Sequence, residues 1–148
     1  MTRLALLLAL LLFPLSALAG EPMKGTNFFV VDEQGWETGE GTGYWMWHGT
    51  GVSQYSAGPF KTGSVECHGA GFWDAEGTWG EGICLHADED GTRTSTWSRG
   101  KGEELGSWEI VTGTGKYAGI AGQGSYKSTP LTEGRHMSEF EGEFTLAQ

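Results

Sequence analysis

The sequence predicts an all-β domain of eight short antiparallel strands, closed as a barrel or stacked as a sandwich. Two observations predict it. Past the first twenty residues, short apolar or alternating runs recur between clusters of Gly, Asp and Thr, as in all-β domains. No window there carries a helical apolar stripe, and 26 glycines in 148 residues would weaken any helix.

The chain opens on Arg3, an apolar run from Leu4 to Phe13, Pro14 and Ala17-Leu18-Ala19. A basic start, an apolar stretch of this length and an Ala-x-Ala site are the pattern of a secretory signal peptide. The stretch is short for a membrane span. Residues 1–19 are therefore expected to be removed, leaving 20–148 as one exported domain, periplasmic or secreted. The net charge of −10 repels phosphate backbones and anionic lipid heads. Nucleic acid and membrane surfaces are thus poor partners, and the acidity serves solubility.

Strands are expected near Thr26–Val31, Thr42–His48, Thr62–His68, Thr78–His86, Thr92–Ser98, Leu105–Thr112, Gly122–Ser128 and His136–Leu146. Turns are expected at Asp32–Gly35, Gly49–Gly51, Asp74–Gly77, Asp88–Gly91, Gly100–Gly102 and Thr132–Gly134, where glycine supplies positive φ, with Asp or Glu nearby in all but Gly49–Gly51. Asp88-Glu89-Asp90-Gly91 lacks the rest of a calcium loop and reads as an Asp-Gly hairpin. Cys67 and Cys84, the two cysteines, lie symmetrically about the Asp74–Gly77 turn. In a hairpin they face each other, and an oxidising compartment would join them. A glycine bulge at Gly77 would shift that pairing by one.

From Trp108 the chain reads as a strand, then places glycines at 113, 115, 119, 122 and 124, and resumes as a strand. Such a corner suits a sheet that bends or admits a close backbone. A phosphate loop is excluded, because Ile110 stands where its first glycine belongs and Tyr117 where Ser or Thr should follow Lys116. A dinucleotide fingerprint is excluded because Gly119, Gly122 and Gly124 prevent the helix it must open. The stretch Gly113-Thr-Gly-Lys-Tyr-Ala-Gly-Ile-Ala-Gly-Gln-Gly-Ser-Tyr126 resembles the signature of the allene oxide cyclase and dirigent superfamily. That resemblance implies a small antiparallel eight-stranded barrel, an often trimeric assembly and cofactor-free chemistry. Thr112 stands where many members have the first glycine. No motif here matches the cyclase's catalytic residues.

On the last strand His136, Ser138, Phe140, Gly142, Phe144 and Leu146 share a face opposite Glu139, Glu141 and Glu143. The acidic face must be wet, so the phenylalanine face points inward and takes His136 with it. On the fourth strand Trp79, Glu81, Ile83 and Leu85 share a face. Were that face internal, the pKa of Glu81 would rise towards that of a general acid. Otherwise Glu81 sits at a mouth or pairs with a cation. His48, His86 and His136 show no metal-ligand spacing, and His68 is turned away from its neighbour Cys67, so no metal is expected. Trp45 and Trp47 share one face, Tyr44 and Met46 the other. Such a strand is covered on both sides or contributes to a pocket or oligomer contact.

Three functions fit. The first is a barrel holding a small apolar or aromatic ligand among Trp45, Trp47, Trp79, Trp97 and Trp108. The second, implied by the resemblance, is a cofactor-free cyclase or isomerase, or a dirigent-like guide, with Glu81, His136 and Tyr126 as its polar groups. The third is an interaction protein that forms a homo-oligomer through Tyr44–Trp47.

Overall fold

A computed structural model describes residues 20–147; the predicted signal peptide lies outside them. Eight antiparallel strands close into one up-and-down barrel, each paired with the next and β8 with β1. They are β1 (Glu21–Gly39), β2 (Thr42–Ala57), β3 (Gly63–Asp74), β4 (Gly77–Asp88), β5 (Gly91–Arg99), β6 (Gly106–Gly113), β7 (Ala121–Thr132) and β8 (Arg135–Thr145). Among the described residues a single 3-10 turn, Gly115–Tyr117, interrupts the strands.

The glycine corner forms where expected. Strand β6 ends at Gly113, and Gly115 and Gly119 adopt φ of 62° and 74° around the 3-10 turn before β7 begins. Two predicted turns are not turns. Asp32–Gly35 lies within β1, and Gly49–Gly51 within β2. At Gly49 a side chain would collide with Trp47 and sit 3.2 Å from Phe29, so its glycine makes room for rings.

Large inward rings resting on inward glycines recur around the barrel. A Cβ on Gly71 or Gly80 would lie 2.6 Å from the Trp45 ring, and one on Gly82 would lie 2.5 Å from Trp97 Nε1. On the opposite wall the Trp108 ring covers Gly124 and Gly142, at 2.6 and 2.7 Å from their would-be Cβ atoms. The indoles therefore lie flat along the wall instead of filling the lumen, a pairing of ring with glycine that steadies sheet register. Trp45 and Trp97, only 7° from parallel with centroids 6.4 Å apart, tile the β3–β4 glycines. Gly82→Ala is expected to cost about 1–3 kcal/mol, as overpacked sites do, measured by urea denaturation.

The Cys67–Cys84 disulfide is present, its residues directly opposed in the β3–β4 register with no shift at Gly77. Both cysteines are buried. Its reduction is expected to cost on the order of 3 kcal/mol for a loop of 17 residues. Unfolding with and without reductant measures this.

One end of the barrel is plugged. Phe60, from the β2–β3 connection, packs on Tyr117 and Phe144, with Met23, Ile110, Ile120 and Phe140 around them. The other end carries the β1–β2, β3–β4, β5–β6 and β7–β8 turns and is open. On the outer wall Trp36, Tyr44, Phe72 and Trp79 form a cross-strand ladder with centroids 5.4–5.9 Å apart, capped by Lys101 over Trp79.

Candidate functional site

Strand alternation decides which side chains enter the lumen. On β5 Arg93, Ser95, Trp97 and Arg99 point inward, and on β4 the inward positions are Thr78, Gly80, Gly82, Cys84 and His86. The result is a cavity of about 550 Å³ running from the plug to the open mouth. Trp45, Trp47, Trp97 and Trp108 line it, with Phe29 and Phe140. Trp73, not predicted, joins at the mouth with Glu33 and Arg99.

Two predicted residues are elsewhere. Trp79 faces out, stacked on Phe72. Glu81 is exposed on the same outer face. The apolar character of Trp79, Ile83 and Leu85 suggests an inner face, yet these residues clothe the outside. The inner face of β4 is instead the glycine bed for Trp45 and Trp97, with Cys84 and His86 beyond it. On β8 the alternation is as expected for His136, Ser138, Phe140 and Phe144, whereas Leu146 lies past the strand and is exposed. His136 and Tyr126 both border the cavity. Burial pushes the Tyr126 hydroxyl up to about 12, so it stays protonated. Tyr126 meets Trp97 edge-on, with centroids 6.3 Å apart.

The polar chemistry sits at the closed end, largely in residues without a sequence motif. Ser53 Oγ donates to Asn27 Oδ1 at 2.6 Å and lies 3.0 Å from His86 Nδ1. A hydroxyl has one proton to give. With that proton on Asn27, the contact to His86 requires Nδ1–H to donate to Ser53. The other imidazole nitrogen, Nε2, is then an acceptor on a residue that lines the cavity. Burial, reinforced by the nearby Arg93 charge, lowers the His86 pKa from 6.5 to about 3. The ring is therefore neutral at physiological pH, an acceptor of hydrogen bonds and a weak base.

Arg93 links this group to the plug. Its guanidinium donates to the Tyr55 hydroxyl at 2.6 Å and lies 3.4 Å from Asp88 Oδ2. The rings of Tyr55, Phe60 and Tyr117 surround it at 5.1, 4.3 and 4.4 Å. Tyr117 donates to the same Asp88 oxygen at 2.7 Å, and the Asp90 amide donates to the other at 2.9 Å. Burial pushes the Asp88 carboxyl up, but these bonds and the Arg93 charge outweigh it and hold its pKa below the ordinary value. Asp88 thus belongs to a hairpin turn and to the buried network at once.

The fold is an eight-stranded barrel like that of a dirigent protein. Among solved structures, that of the pterocarpan synthase dirigent protein GePTS1 is similar, with a TM-score of 0.56 and 13% identity over 86% of this chain and 88% of that one. Pyocyanin demethylase matches with a TM-score of 0.49 and 15% identity over 81% of this chain and 99% of its own. The dirigent protein PsPTS1 gives 0.48 and 16% over 86% and 95%. No protein-family model matches the chain, and no curated protein matches its sequence.

Proposed function

We propose that the barrel binds one small oxygenated aromatic molecule in its lumen. The observation that carries this reading is the cavity of about 550 Å³, walled by flat indoles and closed by a neutral acceptor. Its volume falls within the range of small-molecule sites, about 300–1,000 Å³. Indole faces favour a flat ring through stacked or edge-on contacts. His86 Nε2 suits a hydroxyl proton on the ligand, since a neutral acceptor exposed to the lumen gains from a donor. The disulfide supports residence in an oxidising compartment, in line with export.

The test is quenching of tryptophan fluorescence by 2-naphthol, a flat phenol. Saturable one-to-one binding is expected, weakened about tenfold in Trp97→Ala, which equals about 1.4 kcal/mol. Quenching that never saturates, or that is unchanged in Trp97→Ala, would contradict it.

A second reading is supported by the dirigent-like fold and by the protonated Tyr126 beside the cavity. The lumen would guide a reactive aromatic intermediate, or cyclise it without a cofactor, mainly by holding one conformer. Tyr126→Phe should then lower product selectivity for an identified substrate while binding persists. Unchanged products from both Tyr126→Phe and His136→Ala would remove these two residues from any such role.

A further inference from the structure

We propose that His48, Glu66 and His68 form a binding site for a single divalent d-block cation, with Zn²⁺ as the probe, on the outer wall of the barrel. Strand register brings the three together. His48 on β2 is directly opposite His68 on β3, and Glu66 precedes His68 by two residues, on the same outer face. Sequence spacing does not show this, because the two histidines are twenty positions apart in the chain and meet only by cross-strand pairing.

The geometry is already close to that of a chelate. Both Nε2 atoms converge on Glu66 Oε1, at 3.1 Å from His48 and 3.2 Å from His68. Around a tetrahedral ion with bonds of about 2.0–2.1 Å, neighbouring ligand atoms are separated by about 3.3 Å. The three ligand atoms fall within 4.8 Å of one another. The two imidazoles stack at 4.5 Å and 14°, so their lone pairs must splay to meet one ion. His68 and Glu66 are exposed and His48 half-buried, and that rotation meets no packed core.

Without a metal, the carboxylate can only accept, so each neutral imidazole carries its proton on Nε2. Binding moves each proton to Nδ1 and turns Nε2 into a donor of its lone pair. Two imidazoles and a carboxylate suit Zn²⁺ or Cu²⁺ and are a poor match for Ca²⁺ or Mg²⁺, which prefer oxygen ligands. Three protein ligands leave a fourth position for water, the open arrangement.

The experiment is calorimetric titration of chelator-stripped protein with ZnCl₂, repeated with MgCl₂. One Zn²⁺ per chain is expected, with no Mg²⁺ binding at the same concentrations. His48→Ala and Glu66→Gln should each weaken Zn²⁺ at least tenfold. Because both side chains lie on the outer wall, circular dichroism should show the barrel unchanged. Co²⁺ substitution should give the intense visible band of a tetrahedral ion, lost in His68→Ala. No Zn²⁺ binding at millimolar concentration, or binding that survives in His48→Ala/Glu66→Gln, overturns the proposal.

Discussion

Arg93→Ala is expected to destabilise the barrel by about 3–5 kcal/mol, the usual cost of removing one partner of a buried ion pair. Arg93 and Asp88 retain only 3% and 1% of their side-chain exposure. Truncation leaves the Asp88 carboxylate without its countercharge and opens a void among Tyr55, Phe60 and Tyr117. The remaining bonds from Tyr117 and the Asp90 amide soften the loss without replacing the charge. Removing both charges while keeping bulk should be far milder. Arg93→Met/Asp88→Asn is expected to recover most of the stability, since apolar replacements of buried pairs are often near neutral. Urea denaturation at pH 7.5 measures all three proteins. A cost below about 1 kcal/mol for Arg93→Ala, the range of exposed pairs, would show that the network contributes little.

Acid should destabilise the protein well before its carboxylates titrate. The His86 pKa is about 3 in the folded chain against an ordinary 6.5, so the unfolded state binds a proton that the folded state refuses. Stability is then fully present above pH 6.5 and declines as the pH falls towards 3. The slope is about 1.4 kcal/mol per pH unit, with a total on the order of 4–5 kcal/mol. The carboxyl groups held below their ordinary values, Asp88 and Asp90 among them, contribute stability that is lost as the pH falls through the carboxylate range, mainly at the acid end of this interval. Between pH 6.5 and 4.5 the decline therefore reports His86. His86→Gln keeps an amide that can donate to Ser53 and has no proton to gain. Its stability should be nearly flat over that interval, whatever its absolute value. An equal slope in both proteins would contradict the buried neutral imidazole.

Most of the barrel was legible because local chemistry and global fold agree. The Cys67–Cys84 register followed from symmetry about one turn, and the β8 faces followed from three glutamates that had to be wet. The errors arise where a local signal has two meanings. Gly49 and Gly51 resemble a turn, yet they lie within a strand where neighbouring rings and backbone come close. Trp79, Ile83 and Leu85 resemble a core face, yet the barrel turns that face outward because the opposite one bears Cys84 and the glycines beneath Trp45 and Trp97. The disulfide held the missing clue. Cys67 and Cys84 are both buried, and the parity of Cys84 alone places Glu81 outside. The closed end of the lumen was hidden for another reason. His86 and Arg93 become neighbours only through the β4–β5 register, and a buried arginine carries the same local signature as a solvated one. Tyr126 and His136, by contrast, sit at inward positions that alternation could identify.

The central claim, that the lumen is a binding site for a small aromatic molecule, is tested most directly by native mass spectrometry. The protein would be purified from its own cells without steps that strip ligands. One small-molecule mass per intact chain is predicted, released on unfolding and absorbing in the aromatic ultraviolet. A bare protein mass, with no complex formed on adding excess 2-naphthol, would contradict it.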